Sequence, residues 1–562
     1  MSNPVASTNS TASKPPGHDI FCTPENSDFV SKVPYQSLSK TDHEIRLLKI
    51  LPDSGSGFVE CELLPAVSLA NVQKQYLALS YCAGSAKNTK PIKVNGANSN
   101  VFSNLHHALT CARHYWETHA ELPEFLLWVD QICINQFDLA ERSHQVGFMR
   151  DIYLNANRTL ICLSTEETDG EGMRWLAELK NMVGQGKVES LTCAIIEKSN
   201  SEEFAKGLAS VCGIITSKWW GRAWIFQEFM VSTYATFLYG SYAMPHGDFS
   251  KLAIGSCWAI RRILLDEFSE SMLRTQLEKS SHDEDSLWSS DSLLYILTAK
   301  LVEPTPTDLE TLLYHTRDCL ASDPRDRIYS VLGLANPGYG IIPDYSPEND
   351  VPKLLVETTT RIIAFEDKLS ILSDLNRHRG SMEETRQLPS WVINWIDDYL
   401  LFPSYWTSTT NRRPKMGSFE DHKITAGSID ASFVEVPHPG HPGTRTTVLQ
   451  LWAILLDTDF QAVGGHGDSK YTEDYSLRSY EGSQHYMIES YVPVESDQEL
   501  WILCGACETF LLTRYSYGYR IFVPATIINA VVEDGVMKLP QFMDDQGIYD
   551  TNKMNWKRIT LF

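Results

Sequence analysis

The stretch "FLLWVDQICINQFDLAERSHQVGFMRDIYLNANRTLICLS", residues 125–164, decides the fold of the first half of the chain. Its opening segment FLLWVD is apolar up to the final Asp, which is typical of a strand buried on both faces of a parallel sheet. Residues 138–156 predict a helix, because Asp138 and Glu141 have the spacing of a capping box ahead of an apolar face. The closing segment RTLICLS (158–164) predicts the next strand, so the stretch predicts a strand–helix–strand unit.

The same alternation of strands and helices continues on both sides of this unit. Further strands are predicted at residues 44–52, 58–65, 76–81, 92–96 and 235–240. Further helices are predicted at residues 104–116, 171–184 and 203–216. This rhythm is typical of an α/β domain with a doubly wound parallel sheet. We assign that domain to residues 41–245.

The rest of the chain predicts three more regions. Residues 1–40, rich in Ser, Pro, Asn and Thr, predict a flexible leader. Residues 246–390 predict a helical region with an acidic, Ser-rich surface loop at 280–292. Its helices are predicted at residues 246–264, 307–317, 324–333 and 351–366. Residues 391–562 change to short alternating runs broken by Gly and Pro, and predict a mixed, mostly β accessory region.

Composition excludes several classes of protein. The 562 residues carry a formal net charge of −23, which argues against nonspecific binding to nucleic acid. No apolar run approaches the roughly 18–20 residues that span a bilayer, and the polar start of the chain does not resemble a secretory signal. Most of the 12 cysteines lie in apolar runs, without the spacing of a disulfide framework. We therefore expect a cytoplasmic protein with no membrane span and no nucleic-acid partner.

Polar side chains follow three of the predicted strands. Ser80 and Tyr81 end one strand, Asp130 ends FLLWVD, and Ser164 ends the strand at 158–164. Ligands of open parallel sheets bind outside the carboxyl ends of the strands, so these residues are candidates for a binding site. For Asp130 the structural alternative is a carboxylate that caps the following turn through backbone amides.

The segment "KWWGRAWIFQEF" (218–229) is the second candidate site. We predict a helix at about 218–232, on which Trp220, Trp224 and Glu228 share one face and Arg222 lies on another. An aromatic wall beside a carboxylate suits a flat heterocycle attached to a sugar. The structural alternative is that the tryptophans belong to the core and Glu228 pairs with an arginine such as Arg222.

Signals for metals and cofactors are weak in this sequence. Cys504 and Cys507 form a CxxC without a second pair or a nearby histidine to complete a zinc site. Four histidines without companion ligands are interpreted as surface or packing residues: His106, His107, His438 and His441. Phosphate-loop, dinucleotide-fold, zincin and hydrolase-elbow motifs are missing from the sequence. We predict no metal and no cofactor.

Three blocks, in this order and spacing, resemble the HET domain of filamentous fungi, the heterokaryon incompatibility family. They are YLALSYCAG (76–84), LWVDQICINQFDLAERSHQVGFMRDIY (127–153) and WWGRAWIFQEFMVS (219–232). SDPRDRIYSVLGL (322–334) and LPSWVINW (388–395) are similar to segments that follow the domain in such proteins. One departure is Ala83, where the family pattern Ser-Tyr-x-Trp-Gly has a tryptophan; its loss changes the shape of any pocket there.

The resemblance implies a role in nonself recognition between fungal strains that ends in programmed cell death. HET domains are also distantly similar to TIR domains, which have a flavodoxin-like fold. Catalytic TIR domains hydrolyse NAD with a glutamate four residues after a tryptophan, the spacing of Trp224 and Glu228. By this analogy Glu228 is catalytic and NAD is a substrate rather than a cofactor. The substrate-binding residues implied by the same analogy are Ser80, Tyr81, Asp130, Arg222 and Trp224.

Two further functions stay open at this point. A HET domain without catalytic activity would trigger death by self-association or by binding an incompatibility partner protein. A housekeeping enzyme unrelated to incompatibility has little support beyond the CxxC.

Overall fold

The computed structural model describes the chain in two compact units. The first comprises residues 1–335 and 342–346, and the second comprises residues 336–341 and 347–562. The described residues are 26–33, 35–119, 124–183, 187–265, 272–279, 291–301, 307–316, 319–375, 388–396, 415–416, 429–439, 441, 443–463, 478–490, 493–506, 508–528, 531–533, 536–542 and 553–562. Most of the predicted leader, nearly all of the predicted acidic loop and one cysteine of the CxxC lie outside them.

A mixed sheet is the centre of the first unit. In the described residues, nine strands follow the spatial order β11-β10-β9-β5-β8-β2-β3-β6-β7, while β1 and β4 pair separately. The strands are β1 (Glu44–Ile45), β2 (Leu48–Ile50), β3 (Glu60–Leu63), β4 (Val67–Ser68), β5 (Leu77–Tyr81), β6 (Thr89–Val94), β7 (Ala97–Phe102), β8 (Leu126–Trp128), β9 (Arg158–Cys162), β10 (Ala235–Tyr239) and β11 (Tyr242–Pro245).

The sheet is parallel only in part. The consecutive strands β10, β9, β5 and β8 run parallel to one another, and β3 runs parallel to β6. Strand β2 is antiparallel to both β8 and β3, and the hairpins β6–β7 and β10–β11 are antiparallel. The wholly parallel sheet that we predicted is therefore wrong for the flanks. An apolar run shows that a strand is buried, but not in which direction its neighbour runs.

Helices pack around this sheet in the first unit. They are α1 (Ser27–Lys32), α2 (Ser103–His119), α3 (Asp130–Cys133), α4 (Leu139–Gly147), α5 (Met149–Asn155), α6 (Glu171–Val183), α7 (Val188–Lys198), α8 (Glu202–Ser210), α9 (Cys212–Ile215), α10 (Ile225–Met230), α11 (His246–Leu265), α12 (Met272–Lys279), α13 (Asp291–Leu301), α14 (Leu309–His315) and α15 (Asp326–Leu332). Short 3-10 helices lie at Leu69–Asn71 and Lys218–Gly221.

The predicted capping box at residues 138–141 forms only in half. The side chain of Asp138 accepts hydrogen bonds from the backbone amides of Ala140 and Glu141, as an N-cap does. Glu141 does not reach back to Asp138, because its carboxylate pairs with Arg46 and accepts a hydrogen bond from the amide of Asn135. The ion pair with Arg46, which lies outside the helix, therefore orients the side chain of Glu141 away from the backbone of Asp138.

The second unit is mostly β in its described residues. Helix α16 (Val351–Glu366) begins at the N-cap Asp350, whose carboxylate accepts from the amide of Lys353, and short 3-10 helices lie at Pro337–Tyr339, Ser370–Asp374 and Pro540–Phe542. The strands are β12 (Lys415–Met416), β13 (Ser432–Pro437), β14 (Arg445–Asp457), β15 (Gln461–Ala462), β16 (Arg478–Glu481), β17 (Met487–Ser490), β18 (Gln498–Leu503), β19 (Thr509–Tyr515), β20 (Gly518–Ile527), β21 (Val531–Glu533), β22 (Val536–Lys538) and β23 (Lys557–Leu561).

A barrel-like sheet forms the centre of this unit. The order is β13-β14-β18-β19-β20-β17-β16-β15, and β23 pairs with both β14 and β20. The path β14-β18-β19-β20-β23 therefore closes on itself, which leaves no free edge among these five strands. The β-rich character predicted for residues 391–562 is confirmed.

None of the helices in the described residues is both long and apolar enough to cross a membrane.

Candidate functional site

The carboxyl ends of β5 and β8 carry the first half of the candidate site. These strands are parallel neighbours, with Leu77 opposite Leu127 and Ala78 opposite Trp128. Their ends therefore reach the same edge of the sheet, where the hydroxyl of Tyr81 lies 3.2 Å from Asp130 and Ser80 is the residue before Tyr81. This confirms that the residues after the two predicted strands share one edge.

The tryptophan segment, residues 218–229, forms the second half of the candidate site. It is not the continuous helix that we predicted at 218–232. Residues Lys218–Gly221 form a 3-10 turn, Arg222 is extended, and the α-helix begins only at Ile225. The backbone of this break is paired with Leu320, which accepts from the amide of Ala223 and donates to the carbonyl of Gly221. A distant segment thus satisfies the groups that a continuous helix would have satisfied internally.

The broken helix separates the tryptophans from one another. Trp219 and Trp220 are buried in an aromatic core, where the ring of Trp220 stacks on Phe249. Trp224 keeps its helical relation to Glu228, because the amide of Glu228 donates to the carbonyl of Trp224 at 3.1 Å. We predicted that Trp220, Trp224 and Glu228 share one helix face. This prediction is wrong for Trp220 and correct for Trp224 and Glu228.

The carboxylate of Glu228 is the centre of the site. Its exposed fraction is 2%, and it accepts a hydrogen bond from the hydroxyl of Ser80. The indole N–H of Trp219 donates to the oxygen of Ser80 at 2.8 Å, which fixes the hydroxyl. Arg222 approaches with Nη1 3.3 Å from Oε2 and Nη2 3.4 Å from Oε1. The pairing with Arg222 that we gave as the structural alternative is thus present, and Arg222 does not lie on a separate face.

Burial and the neighbouring polar groups have opposite effects on the pKa of the Glu228 carboxyl. Burial raises the pKa of the Glu228 carboxyl, Arg222 and the Ser80 hydroxyl lower it, and the net shift is upward. For Arg222, burial disfavours the charged guanidinium, but the charges of Glu228 and Asp130 outweigh this and raise its pKa. The site therefore contains one cation shared between two carboxylates.

Asp130 links the turn after β8 to the phenol of Tyr81. Its Oδ1 accepts from the amide of Gln131 at 2.7 Å and lies 3.2 Å from the hydroxyl of Tyr81. Burial raises the pKa of Tyr81 well above its usual range, and so does Asp130. Burial also raises the pKa of Tyr153, whose hydroxyl donates to the carbonyl of Leu79. Asp130 thus accepts a hydrogen bond from the backbone of the turn that follows it, as the structural alternative expects, and its carboxylate also contacts Tyr81 of the site.

Trp224 is half-buried and contacts a segment far away in the sequence. Its side chain hydrogen-bonds to Asp326, which also accepts from the hydroxyl of Tyr345. The guanidinium of Arg142 lies 4.1 Å from the centre of the Tyr345 ring. The family-like segment 322–334 therefore supports the tryptophan of the site.

Sequence reasoning missed Trp219, Tyr153 and Asp326 as neighbours of the site. All three lie within blocks that carry the family resemblance, so membership of those blocks was the available signal. Spacing alone favoured Trp220 over Trp219, because it assumed a regular helix.

A second cluster of reactive side chains corrects the interpretation of His107. In the described residues, His107, Cys111 and Cys162 form a group with ligand atoms all within 4.8 Å of one another. Hydrogen bonding from Cys162 and the effect of His107 together lower the pKa of Cys111 to about 5, against the opposing effect of burial. His107 thus has two companion ligands: Cys111, four residues later on the same helix, and Cys162, on a strand that sequence spacing could not connect to it.

Comparison with known proteins supports the resemblance seen in the sequence. Residues 76–228 match the family described as heterokaryon incompatibility protein (HET), from the residue before β5 to Glu228 itself. A curated relative, heterokaryon incompatibility protein 6, OR allele, of Neurospora crassa, is 27% identical over 409 residues. That alignment covers 64% of this chain and 58% of the relative, so the chain spans little more than half of the relative's length. No solved structure matches the chain. The predicted resemblance to the HET domain is confirmed for residues 76–228, and the distant similarity to TIR domains stays a prediction.

Proposed function

We propose that this HET-domain protein acts in heterokaryon incompatibility, and that its domain kills incompatible cells by cleaving NAD at Glu228. The observation that carries the proposal is the position of Glu228. It is a buried carboxylate in the matched region, held at the edge where two parallel strands end, four residues after a half-exposed tryptophan. Incompatibility is supported by the family match and by the name of the Neurospora relative.

The proposed reaction breaks the bond between nicotinamide and ribose. The bonding electron pair leaves with nicotinamide, water adds its oxygen to the ribose carbon, and one proton is released with ADP-ribose. In the oxocarbenium-like state, Glu228 stabilises the positive charge and accepts hydrogen bonds from ribose hydroxyls in place of Ser80. Trp224 and Tyr81 shape the ring pocket, and Asp130 lines the same edge. Arg222, released from Glu228, pairs with a phosphate.

The contact of Arg222 with Glu228 supports this exchange of partners. Both nitrogen–oxygen distances exceed 3.2 Å, which is long for a charge-assisted hydrogen bond. Arg222 also retains 16% exposure of its side chain, so it can be reached from solvent. A long, partly exposed pair costs less to open than a short and fully buried one.

One observation favours a different function, a noncatalytic interaction module. The carboxylate of Glu228 already has hydrogen-bond partners in Ser80 and Arg222, and the first two tryptophans of its segment are core. In that case the segment is a scaffold, and the domain triggers death by self-association or by binding a partner protein.

Cellular NAD separates the two functions. We would express the full chain in fungal cells as wild type, Glu228→Gln and Glu178→Gln, and measure NAD content and growth at equal protein abundance. Glu178 is an exposed residue of α6 and serves as the control for the same change of charge. We expect NAD loss and growth arrest with the wild type and the control, and neither with Glu228→Gln. Equal growth arrest in all three without NAD loss would support the noncatalytic module instead.

A further inference from the structure

The carboxyl end of β9 and the first turns of α2 bring together three side chains of types that can bind metals. His107 and Cys111 are four residues apart on α2, so they project from the same face of that helix. Cys162 is the last residue of β9, a central strand against which α2 packs. All three side chains are at least nine-tenths buried.

The contacts among these side chains are polar. The Nε2 atom of His107 lies 3.4 Å from the sulfur of Cys111 and 2.8 Å from the hydroxyl of Ser164. The sulfur of Cys162 donates to the carbonyl of Ser164 at 3.4 Å and lies 3.9 Å from its hydroxyl. One imidazole nitrogen, two sulfurs and a hydroxyl therefore converge on a single buried point.

We propose that His107, Cys111 and Cys162 form a binding site for a thiolate-seeking divalent cation, Zn²⁺. The ligand types are those of zinc sites with two cysteines, one histidine and one exchangeable position. Zinc–ligand bonds of about 2.3 Å to sulfur and 2.0–2.1 Å to nitrogen imply tetrahedral ligand separations of about 3.6–3.8 Å. The separation of 3.4 Å between His107 and Cys111 lies close to these values, and all ligand atoms of the group lie within 4.8 Å of one another.

The fourth position of the site faces Ser164. Its hydroxyl adjoins both His107 and Cys162, so it either meets the metal or holds a bound water there. Hard cations such as Mg²⁺ and Ca²⁺ prefer oxygen ligands and do not fit a set of two sulfurs and one nitrogen. The ion would fasten α2 to the end of β9 and so stabilise the first unit. This site is independent of the proposed NAD chemistry, because it shares no residue with the Glu228 site.

Cobalt binding tests the proposal with the full-length protein. We would add Co²⁺ to metal-stripped, reduced protein and record thiolate-to-cobalt charge-transfer absorption and the visible bands of tetrahedral cobalt. The expected result is one bound Co²⁺ per chain, displaced by Zn²⁺, together with a higher unfolding temperature when Zn²⁺ is present. Absence of both the absorption and the zinc-dependent stabilisation in the wild type would overturn the proposal.

Single substitutions locate the ion. Cys111→Ser and Cys162→Ser each remove one thiolate and are expected to abolish the charge-transfer bands. Cys257→Ala, which changes a buried cysteine in α11, and Cys193→Ala, which changes an exposed one in α7, are the controls and are expected to keep them. Bands that persist in both cluster variants would place the ion elsewhere and refute the site. The wild-type measurement of cobalt and zinc binding does not depend on the folding of any variant.

Discussion

Two buried arginine–glutamate pairs in the first unit differ in how tightly they are held. Arg46 and Glu141 join the loop before β2 to α4, with nitrogen–oxygen distances of 2.7 and 3.0 Å. Arg222 and Glu228 join the break after the tryptophans to α10, at 3.3 and 3.4 Å. The chemical groups are the same, so the difference lies in what surrounds them.

Arg46 and Glu141 are buried, and both also form hydrogen bonds with surrounding backbone groups. Arg46 also donates to the carbonyl of Cys133 and to the carbonyl of Gln36, while Glu141 accepts from the amide of Asn135. The two side chains are 3% and 7% exposed. Such a pair connects separate backbone segments and has no capacity left for a ligand.

The pair of Arg222 and Glu228 instead lies at the edge of the sheet, where the arginine is partly exposed to solvent. Its cation is shared with Asp130, its hydrogen bonds are long, and its arginine side chain is 16% exposed. A short ion pair with additional backbone partners, such as Arg46 and Glu141, has a structural role. In the proposed function, a long pair at the ends of parallel strands is one in which a ligand replaces one partner.

The largest effect on stability is expected for Glu141→Gln. This change leaves the guanidinium of Arg46 buried without a countercharge, which costs about 3–5 kcal/mol in buried pairs. We expect a large drop in the unfolding temperature of the first unit, measured by calorimetry on the full chain. A drop no larger than that of Glu228→Gln would remove the distinction between the two pairs.

A third buried carboxylate sharpens the comparison, because it has no close ion pair. Burial raises the pKa of Asp326, Arg142 offsets this only in part, and the net change is from 3.8 to about 6. The folded state therefore binds the proton more tightly than the unfolded state, so this group's contribution to stability falls as pH rises from about 4 to 6.

The substitution Asp326→Asn measures that contribution. Since one pKa unit corresponds to about 1.4 kcal/mol, the wild type should lose up to about 3 kcal/mol relative to the variant between pH 4 and pH 7. Denaturant unfolding of both proteins at a series of pH values provides the comparison. A difference that is independent of pH would show that Asp326 is ionised throughout this range.

The smallest effect is expected for an exposed pair. Arg174 and Glu178 lie four residues apart on α6 and are 46% and 44% exposed. Pairs of this kind contribute about 0.3–0.5 kcal/mol, because water screens both charges. Glu178→Gln should leave the unfolding midpoint nearly unchanged in the same calorimetric measurement. A loss comparable to that of Glu141→Gln would mean that burial does not govern the strength of these pairs.

The elements that were predicted well are those that local pattern determines. Helix α16 coincides with the predicted 351–366, and β5 and β9 lie within their predicted segments, because periodicity and apolar runs are local properties. The joint position of Ser80, Tyr81 and Asp130 followed from the same patterns, since their strands turned out to be parallel neighbours.

The elements that were predicted poorly depend on distant parts of the chain. The helix expected at 218–232 is broken because Leu320 pairs with its backbone, about 100 residues away in the sequence. The companion of His107 and Cys111 is Cys162, on a strand about 50 residues later. Direct contacts of this kind cannot be read from the spacing of residues in one segment, however regular that spacing is.

Release of nicotinamide by purified protein tests the central claim, that the open Arg222–Glu228 pair belongs to a catalytic site. We would incubate the full-length wild type and Glu228→Gln with NAD and follow nicotinamide with time, with unfolding temperatures measured on the same preparations. We expect release by the wild type and a rate at least about 100-fold lower for a variant that remains folded. Equal rates in the two folded proteins, or no release by either, would contradict it.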